Sequence, residues 1–206
     1  GEIEQDMITI PKINYSEVSD LFDKEIMSTE VQHEIELLTN DFSSELKIRP
    51  VSTPKDLKAE LRGYQQEGLN WLNFLDTYNF GGCLADDMGL GKTIQIIAFI
   101  LSQKEKHGQK TNLIVVPTSL LFNWEEEIAK FAPSLKVRKH YGPDRVREVD
   151  HFENHDVVLT TYGMLLSDVR FLKNFKFNYI FLDESQAIKN PNSERYKAAR
   201  LLQARN

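Results

Sequence analysis

The chain has 206 residues, 41% of them hydrophobic, and a formal net charge of −6; this suffices for one sizeable core but not for a second full domain. No apolar run approaches the roughly 20 residues of a membrane span, Gly1 to Asp6 lacks the basic and apolar regions of a secretory leader, and a single cysteine excludes an internal disulfide. A soluble intracellular protein with no membrane partner is expected. The charge is uneven: residues 1–60 hold 14 acidic and 6 basic side chains, and residues 61–206 hold 17 and 19. Any nucleic acid would therefore be met by a local patch in the second part, with affinity that falls as salt rises.

Residues 14–48 place Val18, Leu21, Phe22, Ile26, Val31, Ile35, Leu38, Phe42 and Leu46 at helical spacing among acidic residues, which predicts one or two amphipathic helices. They are a candidate surface for a protein partner. Pro50 and Pro54 then mark a linker, so residues 1–56 read as an acidic helical extension and residues 57–206 as the main domain. Short apolar runs follow at Gly82–Asp86, Asn112–Pro117, Leu135–His140, Asp156–Thr161 and Asn178–Asp183. Helical spacing lies between them, over Tyr64–Tyr78, Thr93–Lys106, Ser119–Phe131, Asp144–Phe152 and Met164–Lys173. The alternation predicts a three-layer α/β domain around a mainly parallel sheet, with Cys83 as a small buried strand residue and Ser193–Gln203 as a last helix.

Asp86-Asp87-Met88-Gly89-Leu90-Gly91-Lys92-Thr93 stands between a predicted strand and a predicted helix. Two glycines permit close backbone approach to a phosphate chain. The helix adds its N-terminal partial charge, Lys92 can reach the β and γ phosphates, and the Thr93 hydroxyl can ligate Mg²⁺. The pattern is a Walker A loop except that Asp86 takes the place of the first glycine. Further on, the apolar Tyr179-Ile180-Phe181-Leu182 ends in Asp183-Glu184, the layout of a Walker B: Asp183 for Mg²⁺ and Glu184 to orient an attacking water. His151 and His155 flank Glu153 without forming a zinc-binding pattern, and Arg145 and Lys189 are left open between phosphate contact and solvent.

From Leu61 to Asn192 the chain resembles the first RecA-like lobe of superfamily-two helicase-like ATPases, specifically the Swi/Snf type. Leu61-Arg62-Gly63-Tyr64-Gln65-Gln66-Glu67-Gly68-Leu69-Asn70-Trp71-Leu72 is similar to the adenine-side motif, with Gln65 at the base-reading position and Gly63 where the family commonly has proline. Asp86–Thr93 resembles motif I, including its acidic first residue, which implies that Asp87, Met88, Gly89, Leu90, Gly91, Lys92 and Thr93 hold ATP. Val116-Pro117-Thr118-Ser119-Leu120-Leu121-Phe122-Asn123-Trp124 resembles motif Ia, and Thr160-Thr161-Tyr162 the next backbone-contacting motif. The resemblance thus implies DNA contacts at Thr118, Ser119, Asn123, Thr160, Thr161 and Tyr162. Taken alone, Ser119 reads as a helix cap and Trp124 as a core aromatic. His140-Tyr141-Gly142 matches a family turn. Asp183-Glu184-Ser185-Gln186 resembles motif II, with Gln186 where many relatives have His.

The resemblance implies a DNA-dependent ATPase that uses ATP and Mg²⁺ to move along double-stranded DNA, with Lys92, Asp183, Glu184 and Gln186 as catalytic residues. The family's Thr-Gly-Thr-type motif, second RecA-like lobe and arginine finger are not found in these 206 residues. Such an arginine contributes on the order of 10³ to 10⁵ in rate, so nucleotide binding is expected to exceed hydrolysis until a second lobe joins. Gln186 is similar to bacterial members and favours a bacterial cytoplasmic, DNA-associated protein over a nuclear one. Two other readings stand beside this one: an RNA-directed helicase lobe, and a nucleotide-gated protein-interaction module recruiting through residues 14–48.

Overall fold

A computed structural model of the chain describes residues 48–84 and 91–206. The predicted helices of residues 14–48 lie, but for Ile48, outside the described residues, as does the loop from Asp86 to Leu90. Residues 48–206 form one compact unit. Its elements are α1 (Gly63–Tyr78), α2 (Lys92–His107), β1 (Asn112–Val116), α3 (Leu121–Phe131), β2 (Val137–His140), β3 (Val157–Thr161), α4 (Tyr162–Leu172), β4 (Lys176–Phe177), β5 (Ile180–Leu182), α5 (Glu194–Arg200) and β6 (Gln203–Ala204).

Four strands pair in the order β2-β3-β1-β5, every pair parallel. The alternation of the strand code decides which core each side chain enters. Ile114, Val116, Val157 and Leu159 face a core closed by Leu69 and Leu72 of α1, Ile97 and Phe99 of α2, and Trp124 and Ile128 of α3. Leu113, Val115 and Val158 face the opposite core, closed by Leu165 and Leu172 of α4, Phe177 and Ala198. With helices on both faces, β1 is buried at every position, which is why its sequence, NLIVV, carries no polar alternation.

Parallel strands leave all their carboxyl ends on one edge, and open α/β sheets bind ligands there. β1 runs into Pro117, β3 into Tyr162, β5 into Asp183 and β2 into Tyr141. Helix α1 packs closely on α2 because Gly68 lacks a side chain: a Cβ there would stand 1.8 Å from Gln95 Oε1. The helix ends at Asn79, which turns left-handed at φ 54° and lets the next amide, Phe80, bond back to Leu75. Residues 51–58 are bound to this body, with the Val51 amide donating to Asn70 Oδ1 at 2.9 Å and the Lys58 amide donating to the Phe131 carbonyl at 2.7 Å.

Three expectations are corrected. Asp144–Phe152 is not a helix; only a 3-10 turn at Val149–His151 forms, because Arg145 is drawn inward to a buried carboxylate and the segment follows it. The described part of Gly82–Asp86, Gly82 to Leu84, has no strand pairing, and Cys83 is exposed rather than buried. The last helix ends at Arg200, and residues 203–204 instead pair in parallel with β4. This pairing continues past β4, since the Ile180 amide donates to the Asn206 carbonyl at 2.9 Å.

Candidate nucleotide site

A cleft of about 620 Å³ opens at the carboxyl edge of the sheet. Trp71 and Leu75 of α1 and Phe80 to Leu84 form one wall, Lys92 stands at the start of α2, and residues 179–186 with Trp124 form the other side. Lys92, Asp183, Glu184 and Gln186 are therefore brought to one cavity from segments about ninety residues apart. Gly91 precedes Lys92 as the N-cap of α2 with φ 77°, a conformation that L side chains rarely adopt. A Cβ at Gly91 would also meet Gln65 Nε2 at 2.5 Å. Gln65 of α1 thus lies against the described end of the phosphate-loop sequence, while its Oε1 accepts from the Arg62 amide at 2.9 Å. Thr93 occupies the first turn of α2 beside Lys92.

The Asp183 carboxylate is fixed from two sides. Its Oδ2 accepts from the Trp124 indole N–H at 2.8 Å, and its Oδ1 accepts from the Glu184 amide at 3.0 Å. Its own carbonyl accepts the Tyr162 hydroxyl at 2.8 Å. Burial, followed by the nearby charges of Asp183 and Glu184, pushes the Tyr162 phenol up to about 12, so at neutral pH it is a donor. Glu184 takes a left-handed conformation at φ 49° and ψ 53°, costly for a residue with a side chain. The Gln186 amide donates to the Glu184 carboxylate, and a 3-10 turn over Ser185–Ile188 leads the chain away.

The residues expected to meet DNA divide into two groups. Thr118, Ser119 and Asn123 are exposed at the carboxyl edge, on the 3-10 turn Thr118–Leu120 and the first turn of α3. Ser119 caps nothing, since the N-cap of α3 is Leu120, and Asn123 Nδ2 donates to Glu127 at 2.9 Å. Thr160, Thr161 and Tyr162, by contrast, are buried. Thr160 donates to the His140 carbonyl at 2.8 Å, and Thr161 caps α4 by accepting from the Met164 amide at 3.3 Å. Their side chains serve the interior, which leaves exposed Gly163 as the accessible backbone on that turn.

Beside this edge, β2 ends in a buried polar cluster. His140 Nε2 lies 2.9 Å from Asp168 Oδ2, and Arg145 grips the same carboxylate with Nε at 2.5 Å and Nη2 at 3.0 Å. Arg145 also donates to the Gly142 carbonyl at 2.6 Å. This settles the position left open by the sequence: Arg145 is an internal staple for the Tyr141–Arg145 turn. Burial lowers the His140 pKa, and since the ionised Asp168 only accepts, Nε2 must carry the proton. Burial pushes the Asp168 carboxyl up, but the hydrogen bonds from Arg145 and His140 outweigh it and hold it below its ordinary value.

Trp124, which taken alone reads as a core aromatic, is one; what no local pattern in the sequence places is its N–H, or the Tyr162 hydroxyl, at Asp183. The available signal was chemical. A buried indole N–H or phenol O–H requires an acceptor, and Asp183 is the acceptor the sequence already singled out.

An SNF2-related domain family model matches residues 64–206. The chain belongs to the SNF2-related family. The Bacillus subtilis protein YwqA is 52% identical over 149 residues, covering 70% of this chain and 16% of its own length. The ATP-dependent helicase FUN30 of Saccharomyces cerevisiae is 44% identical over 163 residues, covering 74% of this chain and 14% of its own. Among solved structures, the Sulfolobus solfataricus SWI2/SNF2 ATPase core in complex with dsDNA superposes with a TM-score of 0.71 at 43% identity, covering 76% of this chain and 32% of that one. This SNF2-related domain thus spans about one sixth or less of these two curated relatives, and its sheet and flanking helices have the RecA-like α/β fold of such ATPase cores.

Proposed function

We propose that this SNF2-related domain is the ATP-binding lobe of a motor that hydrolyses ATP to move along duplex DNA once a second RecA-like lobe closes over it. The observation that carries the proposal is the single cleft holding Lys92, Asp183, Glu184 and Gln186 at the same sheet edge as exposed Thr118 and Ser119. Lys92 would neutralise the terminal phosphates, and Gln65, held against Gly91, would read the adenine from α1. The residues present fit a magnesium ion: Asp183 offers an oriented carboxylate with lone pairs to spare, and Thr93 a hydroxyl beside Lys92. Bound there, magnesium would neutralise charge on the β- and γ-phosphate oxygens. Glu184, presented into the cleft by its left-handed turn and bonded by Gln186, would orient the attacking water.

Thr118, Ser119, Asn123 and the Gly163 turn would hold the phosphate backbone of one strand, contacts that position without reading sequence. The relatives named for ATP-dependent helicase activity and the solved ATPase core bound to dsDNA support this assignment. The test measures ATP turnover by the 206-residue chain and by a two-lobed protein containing it, each with and without duplex DNA. Near silence from the chain and DNA-stimulated turnover from the longer protein are expected. Equal, DNA-independent turnover from both would overturn the proposal, and stronger stimulation by RNA would replace duplex DNA as the track.

A further inference from the structure

Asp183 is contacted by residues that neither Walker motif contains. Trp124 comes from α3, four residues beyond the turn Thr118–Leu120 that exposes Thr118 and Ser119. Its indole is 4% exposed and its N–H ends on Asp183 Oδ2 at 2.8 Å. Tyr162 is the first residue of α4, immediately after the cap Thr161, is 3% exposed, and its hydroxyl ends on the Asp183 carbonyl at 2.8 Å. Each turn at the nucleic-acid edge thus sends one buried, directional donor to the same residue. The two helices reach it from opposite faces of the sheet, since Trp124 belongs to one core and Tyr162 to the other.

A buried donor of this kind has few alternatives: an indole N–H or phenol O–H that loses its acceptor inside a core is left unsatisfied. The Asp183 carboxylate therefore cannot rotate without stranding the Trp124 N–H, and the Asp183 backbone that carries it cannot shift without stranding the Tyr162 hydroxyl. With Oδ2 given to Trp124 and Oδ1 to the Glu184 amide, the lone pairs left over are aimed by these bonds. We propose that Trp124 and Tyr162 are positioning residues for the Asp183 carboxylate, and that through them the turns meeting the nucleic-acid backbone are coupled to the magnesium side of the nucleotide site. Coupling of this kind is reciprocal: duplex DNA bound at the turns tightens Mg²⁺–ATP, and Mg²⁺–ATP tightens DNA by the same factor. The inference rests on the nucleotide-site reading above.

The experiment uses the 206-residue chain and a fluorescent ATP analogue, titrated in EDTA, in Mg²⁺, and in Mg²⁺ with duplex DNA. Trp124→Phe and Tyr162→Phe each remove a donor and keep a ring. In the unsubstituted chain Mg²⁺ tightens the analogue and DNA tightens it further. Trp124→Phe is expected to lose about tenfold of the Mg²⁺ increment, of the order of one hydrogen bond to a charged group, together with the DNA increment, while binding in EDTA falls by a much smaller factor. Tyr162→Phe is expected to lose the DNA increment with a smaller loss for Mg²⁺. With 5-fluorotryptophan incorporated, the ¹⁹F resonance absent from Trp124→Phe should move on adding Mg²⁺–ATP and move again with DNA.

Both variants keeping the full Mg²⁺ and DNA increments would overturn the proposal. So would an equal loss in EDTA and in Mg²⁺, which would mark a purely structural role. An unsubstituted chain in which Mg²⁺ adds nothing would instead overturn the nucleotide-site reading, and the proposal with it.

Discussion

Asp168 holds the guanidinium groups of Arg145 and Arg147, the latter at 3.0 Å, and the neutral His140 in a place where water reaches only 2% of its side chain. Removing a buried ionic partner leaves the others uncompensated, at a cost of about 3–5 kcal/mol, so Asp168→Ala should be among the most destabilising single substitutions in the lobe; urea unfolding measures it. The same cluster sets a pH dependence. Burial lowers the folded pKa of His140 below 6.5, so the unfolded chain takes up its proton first as pH falls, and stability declines from about pH 6.5 downward to the folded value. Asp168 is held below 3.8 in the folded chain; its contribution is present above that value and is lost as pH falls further. Both act in the same direction. The urea midpoint should fall between about pH 7.5 and 5.5, and His140→Gln should flatten that fall. A profile unaffected by the substitution would show that His140 is not the titrating group.

Glu184 belongs to the same scale. Glu184→Gln is close to isosteric and removes only the charge proposed to orient water, so a two-lobed protein carrying it should still bind ATP and lose most of its turnover, on the order of 10²-fold or more. Full turnover from that variant, measured by phosphate release, would contradict the assigned role.

Among the elements, α2 was the easiest to find and has the most exacting start. Its glycine cap is left-handed and lies against Gln65. Gly91→Ala would carry a strain of about 1–2 kcal/mol from the left-handed backbone and push the Gln65 amide aside, weakening both phosphate and adenine recognition. A fluorescent ATP analogue should bind at least several-fold more weakly, with little change in the far-ultraviolet helix signal. Element positions were legible wherever one periodicity ran unopposed. The helical spacing of α1 and α4 and the unbroken apolar run of β1 gave those elements to within two residues, because burial of a stripe or a whole strand decides them locally. Asp144–Phe152 shows the same spacing, yet a long-range bond from Arg145 to Asp168 overrides it, and no local pattern reports a partner 23 residues away. The site was legible as a set of motifs, since Lys92, Asp183 and Glu184 carry chemistry that fixes their types. The routing of Trp124 and Tyr162 to Asp183 was not, because it depends on which face of the sheet each helix covers.

Taken whole, the proposed motor has Lys92, Asp183 and Glu184 facing the nucleotide from this chain, and among the described residues none supplies a cation from across the opening. A two-lobed protein should therefore exceed the isolated chain in DNA-stimulated turnover by about 10³-fold or more, and that stimulation should fall steeply with added salt if, as proposed, the contacts are to backbone phosphates. A salt-insensitive stimulation would point to base contacts instead.

The junction at Asp76 carries a consequence for how such a chain is made. Tyr179 donates to its carboxylate, and Arg205 lies 3.0 Å from the same oxygen. Asp76 sits in the first helix, with only 9% exposure, and its cationic partner arrives about 130 residues later. At roughly 5–20 residues per second, a ribosome needs on the order of 10 s to reach that partner. During that interval the nascent helix holds a carboxylate whose cationic partner does not yet exist. The end of α1 that bears Asp76 therefore reaches its full set of partners only once the β6 segment has been made.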